Sequence, residues 1–268
     1  MKILAVIPAY NCARQISRVI SKFDERVSGL IQNVLIIENQ SEDNTVNEAI
    51  KALKFNKNIN GILCSNKKNV GYGGTLKIGF NFAIENNYDY LLVLHGDDQG
   101  DLSDILPYII DKSIENFDCT LGARFHPDSK LYNYSWFRTF GNKVYNKIFS
   151  MALNQEVLDL GSGINIYKLS SFLEKDYLKF SNDLTFDYCG IISHSYRKRA
   201  IRFIPITWRE EDQVSNVKIS RQALFTLNLL TQYCLNHRSF INRDKSNNKD
   251  YTYSANIIYE NNEKYNHE

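Results

Sequence analysis

A run of apolar residues that leads directly into charged and amide side chains constrains this fold most. Residues 90–94 read Tyr-Leu-Leu-Val-Leu, and His-Gly-Asp-Asp-Gln follows at 95–99. Five apolar residues in succession predict a strand buried on both faces. Ligands of open parallel sheets bind beyond the carboxyl ends of the strands. Asp97 and Asp98, flanked by His95 and Gln99, would suit a hard divalent cation that also binds phosphate oxygens. The alternative is an acidic loop that caps the next helix.

Length and composition allow a substantial core. The chain has 268 residues, of which 43% are apolar, enough for one large α/β domain or two small ones. A formal charge of +2, from 32 basic and 30 acidic residues, gives no global field that would favour nucleic acid. The five cysteines are far apart and contain no CxxC pair. They predict buried thiols in a reducing cytoplasm, not a disulfide framework or a zinc site.

The sequence predicts neither a membrane span nor export. It contains no run of 18 apolar residues, and Met1 leads directly into a short strand. Residues 220–236 have a helical pattern with an apolar face, made of Leu224, Leu227, Leu230 and Cys234. This helix could pack in the core or lie at a membrane interface.

The first half of the chain alternates strands with helices. Strands are predicted at 2–8, 34–37 and 59–64, each followed by a helix, and the pattern continues to about residue 120. Such alternation is typical of a parallel sheet with right-handed crossovers. Polar turns follow these strands, so Tyr10, Glu38 and Asp97 are expected to face one cleft.

The glycines at 71–74 do not form a dinucleotide fingerprint. Gly-Tyr-Gly-Gly differs from G-x-G-x-x-G and follows a polar run instead of a strand, which argues against a nicotinamide enzyme. The loop is either a tight turn that needs positive φ or a close approach to a ligand phosphate.

The second half offers basic and acidic candidates. A helix is predicted at 103–113, then a strand at 119–123 that ends at Arg124, followed by an aromatic and basic stretch that contains Arg138. Each arginine could bind phosphate as a planar fork or lie on a solvated face. Asp187 is expected just inside a helix. A polar tail, residues 241–268, is expected to be peripheral or weakly ordered.

Four motifs, each after its expected strand, together resemble the family 2 glycosyltransferases of the GT-A fold. They are IPAYN at 7–11, IENQSEDNT at 37–45, NVGYGG at 69–74 and LHGDDQ at 94–99. The branch is the one with dolichyl-phosphate mannosyltransferase and related polyprenyl-phosphate sugar transferases, and the resemblance covers about residues 1–220. It implies one domain, 1–240, with a mostly parallel central sheet flanked by helices. The donor-binding half is about 1–123 and the acceptor-side half about 124–240.

The resemblance also implies site roles. Glu38 reads the nucleoside base or ribose, and Asp97 matches the second acid of a metal-binding Asp-x-Asp. The nucleotide-sugar site is expected to comprise Pro8, Tyr10, Asn11, Glu38, Asn69, Gly71, Gly73, Lys77 and Asp97. Acceptor binding is assigned to Arg124, Arg138, Ser162, Gly163 and Arg209, and catalysis to Asp97, Asp187 and Arg124. The Mg²⁺ or Mn²⁺ ligands are Asp97 and Gln99, and His95, which replaces the first acid, could touch metal, a phosphate-bound water or neither.

Two further departures from the family pattern loosen these assignments. Glu38-Asn-Gln-Ser41 stands where Asp-Asp-Gly-Ser is usual, which leaves the nucleobase open. The usual Arg followed by Gly-x-Ser-Lys is only loosely matched by residues 209–218.

The function implied is a metal-dependent inverting transferase that moves a sugar from a UDP- or GDP-linked donor to a polyprenyl phosphate, in glycan biosynthesis. Peripheral contact with the cytoplasmic membrane face would accompany it. The nearest alternative uses the same donor and a saccharide hydroxyl as acceptor. A sugar nucleotidyltransferase is a further alternative, but this chain has no Gly-Gly-x-Gly loop with a following Arg after the first strand. A nucleotide-binding module without catalysis is another, and it would show no turnover.

Overall fold

A computed structural model describes residues 1–31, 33–212, 219–246 and 252–261. The strands are β1 Ile3–Ala9, β2 Asn33–Glu38, β3 Asn60–Ser65, β4 Tyr90–Leu94, β5 Cys119–Ala123, β6 Lys130–Tyr132, β7 Ile164–Lys168, β8 Ile201–Pro205, β9 Thr207–Arg209 and β10 Asn256–Glu260. The helices are α1 Ile16–Ser21, α2 Glu25–Ser28, α3 Thr45–Phe55, α4 Gly71–Glu85, α5 Leu106–Ile110, α6 Trp136–Leu153, α7 Phe186–Tyr196, α8 Ile219–Leu235 and α9 His237–Asn242.

Parallel strands form the first half of the central sheet, as the sequence predicts. β1 pairs in parallel with β2 on one side and β4 on the other, and β2 pairs in parallel with β3. Among the described residues the strand order is β10-β3-β2-β1-β4-β7-β5-β8. β7 runs antiparallel between β4 and β5, and β8 is parallel to β5. The prediction of a mostly parallel α/β sheet flanked by helices is confirmed.

Helices cover both faces of the sheet, and β4 is therefore buried along its whole length. Leu91 and Val93 pack in one hydrophobic cluster together with Phe80 of α4. Leu92 packs in a second cluster together with Ile16 of α1. Alternate side chains of a strand point to opposite faces, so two covered faces require an unbroken apolar run. This packing fixes the place where the polar residues after β4 begin.

The helix predicted at 103–113 is interrupted. A 3₁₀ turn, Leu102–Asp104, precedes α5, and Pro107 lies in the first turn of α5. Proline is accepted in a first helical turn but cannot donate the hydrogen bond that a longer preceding helix would need.

The helix predicted at 220–236 exists as α8, but its buried face matches the predicted one only in part, at Leu230. Thr226, Leu229, Leu230 and Tyr233 are buried, whereas Leu224 is 71% exposed. Cys234 is also exposed, so the expectation of buried thiols is wrong at this position and right at the other four cysteines. α8 contacts α6, α7 and α9, and these neighbours select the face that packs. No helix among the described residues is long and apolar enough to cross a bilayer.

Of the two alternatives for the tail, peripheral or weakly ordered, residues 256–260 show the first, because they form an edge strand. β10 pairs antiparallel with β3 at the sheet edge, and the side-chain amide of Asn261 donates to the Leu53 carbonyl at 3.1 Å. An edge strand leaves unpaired backbone groups, and a polar segment can satisfy them without a large apolar face. The rest of the tail beyond residue 261 lies outside the described residues.

Candidate functional site

The carboxyl ends of β1, β2, β3 and β4 meet at one edge of the sheet. The register places Ala9 opposite Glu38, and Glu38 opposite Ser65. After β4, the Gly96 amide donates to the Pro8 carbonyl at 3.2 Å. The expected convergence of the strand-end loops is therefore present.

The loops after β1 and β2 are fastened to each other. Asn11 has a positive φ of 49°, and its side-chain oxygen accepts from the Glu42 amide at 2.8 Å. Its own amide donates to the Ser41 hydroxyl at 3.0 Å. The neighbouring residue Tyr10 is 47% exposed, and an exposed aromatic ring can stack on a planar ligand.

Glu38 is buried and its carboxylate is used within the protein. It accepts from the Ser41 amide and from the Ser65 hydroxyl, the latter at 2.9 Å. These bonds hold the turn after β2 and join it to β3. Contact between Glu38 and a base or ribose stays a prediction, and it would require one of these bonds to be shared.

A buried amide network that the sequence did not indicate lies beside Glu38. The side-chain oxygen of Asn39 accepts from Asn66 at 2.8 Å and from the Val70 amide at 2.9 Å. Its side-chain nitrogen donates to Asn69 at 3.0 Å. Asn69 in turn accepts from the Gly71 amide at 3.0 Å. Asn69, predicted to bind the donor, thus holds the start of α4 while remaining exposed.

Gly71 and Gly73 approach protein backbone in this structure. A Cβ added to Gly71, whose φ is +75°, would lie 2.3 Å from the Asn182 carbonyl oxygen. One added to Gly73 would lie 2.3 Å from the Ser181 carbonyl oxygen. Gly71 thus forms a turn with positive φ, packed against the segment before α7, and contact of this loop with a ligand phosphate stays a prediction.

The side chain of Lys77 does not point into the cleft, contrary to the prediction that it binds the donor. Its side chain is fully buried, and its ammonium group donates to the Phe180 carbonyl at 2.6 Å and to Asn182 at 2.7 Å. It also lies 3.3 Å from the Tyr253 hydroxyl. Burial lowers the pKa of Lys77 to about 7. This residue ties α4 to the segment before α7 and to the tail.

The two adjacent carboxylates after β4 differ in how far they are enclosed. Asp98 has a φ of 63° and forms ion pairs with Arg18 at 2.6 Å and Lys22 at 2.5 Å. Asp97 is less enclosed, with 36% of its side chain exposed, and its Oδ2 lies 3.9 Å from Nδ1 of His95. The amide of Gln99 donates to Oδ1 of Asp97 at 3.2 Å, which orients that carboxylate. Because Asp98 is paired with the side chains of Arg18 and Lys22, the expectation that both acids face a metal is wrong for Asp98.

A hydrogen-bonded chain runs from His95 to Asp187. The Tyr72 hydroxyl lies 2.9 Å from Nε2 of His95 and donates to Oδ2 of Asp187 at 3.1 Å. When Asp187 is ionised and accepts from the Tyr72 hydroxyl, Nε2 of His95 carries the proton that is shared with Tyr72, and Nδ1 keeps a lone pair. Sequence reasoning missed Tyr72, although the residue lies inside the NVGYGG motif.

Asp187 is enclosed at the start of α7. Burial raises the pKa of its carboxyl group to about 7, the bond from Tyr72 opposes this rise, and nearby Asp159 adds to it. Oδ1 of Asp187 has no hydrogen-bond partner among the described residues. A carboxyl group with such a pKa can take up and release a proton near neutral pH.

The loop before β7 passes between His95 and Asp187. A Cβ on Gly163, whose φ is +74°, would lie 2.5 Å from Nδ1 of His95. One on Gly161 would lie 2.9 Å from the Asp187 carboxylate. Ser162 is buried and donates to the Ile164 carbonyl at 3.4 Å. Gly163 is therefore at the site, whereas Ser162 is buried and lines a small cavity together with Asp159 and Asp187.

Each arginine predicted to bind an acceptor is already paired with a carboxylate. Arg124 forms a bidentate pair with buried Asp159, with both bonds at 2.8 Å. Arg138 pairs with Glu210 at 2.7 Å, and both side chains are partly exposed. Arg209 is less constrained, 41% exposed and 3.3 Å from Asp101. The sequence allowed Arg124 either to bind a phosphate or to lie on a solvated face. The buried pair with Asp159 matches neither alternative.

The donor set near Asp97 fits a cation that shares its coordination with a ligand. No group of three or more His, Cys, Asp or Glu side chains in the described ranges is placed to hold a metal alone. Asp97 would supply one ligand, and Nδ1 of His95 would supply a second in the tautomer whose proton is on Nε2. A carboxylate with an imidazole suits Mn²⁺ better than Mg²⁺. The remaining positions would be filled by phosphate oxygens and water.

Comparison with known proteins supports the fold described above. Residues 4–175 match the model of the family described as glycosyl transferase family 2. No curated protein sequence matches the chain. Glucosyl-3-phosphoglycerate synthase from Mycobacterium tuberculosis, in complex with UDP, has a similar structure, with a TM-score of 0.59 and 17% identity over 87% of this chain and 80% of that one.

Two other solved structures extend the likeness. TarS 1–349 of S. aureus, in complex with UDP-GlcNAc, has a TM-score of 0.57 and 16% identity over 88% of this chain and 67% of that one. The Mycobacterium tuberculosis synthase with Mn²⁺, UDP and glucosyl-3-phosphoglycerate has a TM-score of 0.56 and 13% identity, covering 90% and 79%. Because the family match spans more than half of the chain, the protein belongs to glycosyl transferase family 2.

Proposed function

We propose that the protein transfers a sugar, with inversion, from a UDP- or GDP-linked donor to a polyprenyl phosphate. The observation that carries this proposal is the accessible carboxylate of Asp97 at the carboxyl end of β4, in a family 2 domain. Similar structures that hold UDP or UDP-GlcNAc support a nucleotide-sugar donor. The free buried thiols of this chain fit a reducing cytoplasm as the place of the reaction.

The donor would lie across the loops after β1, β2 and β4. Tyr10 offers an exposed ring to the base, and Asp97 and His95 face the diphosphate, with Gln99 beside them. A divalent cation held by Asp97 and His95 would neutralise the charge that grows on the departing diphosphate. The pairing of Asp98 with Arg18 and Lys22 keeps a second negative charge turned away from that diphosphate.

Turnover of nucleotide-sugars tests this donor chemistry directly. UDP- and GDP-linked sugars are incubated with the protein, with Mn²⁺ or Mg²⁺ and with excess chelator, and release of the nucleoside diphosphate is measured. Metal-dependent release from one donor supports the proposal. No release from any donor, with or without polyprenyl phosphate, would favour a nucleotide-binding module without catalysis.

Arg138→Ala is expected to raise the KM for polyprenyl phosphate by about tenfold, with the donor KM unchanged, since a charge-assisted bond would be lost. Arg138 could exchange partly exposed Glu210 for a phosphate, whereas Arg124 is held by buried Asp159. Arg26→Ala, which removes an exposed ion-paired arginine of α2, is the matched control. A rise in the donor KM instead, or no change in either constant, would remove Arg138 from the acceptor site.

A saccharide hydroxyl is the second candidate acceptor, and Asp187 is the observation that favours it. A hydroxyl must lose a proton, and a carboxylate base typically contributes about 10² to 10⁴ in rate. A carboxyl group with a pKa of about 7 fits that task. A phosphate monoester, with a second pKa of about 6, is already charged and needs no base.

Asp187→Asn is expected to keep turnover within about tenfold of the wild type if the acceptor is a phosphate, a smaller loss than removal of a base causes. The rate is measured against pH, with donor binding and circular dichroism as controls. If Asp187 were the base, the wild-type rate would fall as pH drops below about 7, because the carboxylate takes up a proton. A loss of about a thousandfold together with disappearance of that limb would establish the hydroxyl acceptor.

A further inference from the structure

Helix α6 exposes large apolar side chains along one face. Trp136 is 79% exposed, Phe137 70% and Phe140 62%. Val144 and Met151 continue this exposed set. At about 100° per residue these five positions fall within an arc of roughly 100°, on one side of the helix. The opposite side carries the residues that are buried, Asn146, Phe149 and Leu153. The helix thus presents an apolar surface to solvent as well as packing on the core.

Two lysines share that exposed side. Lys143 and Lys147 are exposed, and the helical positions place them between and beside Trp136 and Phe140. Residues 136–153 contain no Asp or Glu, so nothing on α6 itself offsets these charges. We refer to the five apolar residues and the two lysines as the α6 face. Aromatic side chains mixed with lysines are typical of helices that lie in a membrane interface, with the lysine stems buried and the ammonium groups at the lipid phosphates.

We propose that the α6 face binds the surface of an anionic lipid bilayer, with Trp136, Phe137 and Phe140 entering the interface. A second copy of the chain fits this face less well. In a two-fold dimer built on it, Lys143 and Lys147 of one copy would meet the same lysines of the other, and like charges at an interface weaken binding. An anionic lipid surface instead complements both the charge and the apolar side chains.

Docking of the α6 face would also position the acceptor-side half of the domain. Arg138 lies on the same helix, away from the α6 face, and its ion pair with Glu210 joins α6 to the residue after β9. Docking of α6 would therefore hold the acceptor-side half of the domain at the bilayer. The inference goes beyond the proposed transfer reaction, and it holds for any acceptor that is anchored in lipid.

Vesicle flotation of the purified chain, without donor or acceptor, tests the proposal. The vesicles are phosphatidylcholine alone, or phosphatidylcholine with about one third phosphatidylglycerol. We expect binding to the anionic vesicles that weakens as salt is raised, because surface charges are screened. Trp136→Ser/Phe140→Ser should reduce it at least about tenfold, through loss of apolar contact. Lys143→Glu/Lys147→Glu should reduce binding to anionic vesicles by a similar factor.

Phe55→Ser is the matched control, since Phe55 is 78% exposed at the end of α3, outside the α6 face. It should bind vesicles as the wild type does. Equal loss in this control, or no binding by the wild type, would overturn the proposal. The oligomeric state of the wild type and of Trp136→Ser/Phe140→Ser is measured in parallel by light scattering. A wild-type dimer that becomes a monomer in this variant would assign the face to a second copy of the chain. Because no turnover is measured, failure of the proposed reaction leaves this test unaffected.

Discussion

Turnover of the Asp97→Asn variant is expected to fall by at least about a hundredfold, with the fold intact. The departing nucleoside diphosphate develops negative charge, and loss of one preorganised electrostatic contact typically costs about 10² to 10³ in rate. Asp97 is the more exposed of the two adjacent carboxylates after β4, with 36% of its side chain exposed against 14% for Asp98. Asparagine keeps the size and one acceptor oxygen, so the bond from the Gln99 amide can persist. Steady-state rates across Mn²⁺ and Mg²⁺ concentrations, with circular dichroism as a folding control, measure the effect.

Asp98→Asn is the matched control for this prediction. Asp98 is adjacent in sequence but pairs with Arg18 and Lys22, so its loss should change turnover by less than about tenfold. Calorimetric titration of Mn²⁺ in the presence of UDP adds a readout that does not depend on turnover. Wild-type rates in excess chelator, or an Asp97→Asn enzyme as active as the control, would remove the cation from the mechanism.

Arg124→Ala is expected to lower the free energy of unfolding by about 3–5 kcal/mol, the usual cost of leaving a buried charge without its partner. The carboxylate of Asp159 is 1% exposed and accepts two bonds from the Arg124 guanidinium. The same guanidinium donates to the Gly161 carbonyl at 2.8 Å, so the loop beside Asp187 would loosen as well. Urea denaturation measures the loss.

Two comparisons separate the ion pair from the packing of the arginine. Arg138→Ala removes a pair whose side chains are 31% and 25% exposed, and its cost should stay under about 1 kcal/mol. Arg124→Ala/Asp159→Asn should recover much of the loss, because no buried charge is then left alone. A single variant as stable as the wild type would show that the Arg124 to Asp159 pair does not stabilise the fold.

Much of the fold and part of the site follow from local sequence signals. Hydrophobic periodicity predicts β1 to β4, and the order of strands and helices predicts their parallel pairing, because each step depends on neighbouring residues alone. The convergence of Tyr10, Glu38 and Asp97 follows from that topology. Tyr72 could have been found as well, since it lies within a motif after β3, but its role depends on β4 and α7 lying beside it.

The sequence by itself determined the parallel half of the sheet, the family and the strand ends where a ligand would bind. Tertiary structure decided which polar groups remain available there. Asp98, Arg124 and Lys77 each resemble a site residue in sequence, yet each is bonded to groups distant along the chain. A charged group that is enclosed must find a partner, and the partner is supplied by whichever segment packs against it. Hydrophobic periodicity shows which face of a helix or strand is apolar. Packing decides which of these apolar faces is covered, and the apolar face of α6 stays exposed.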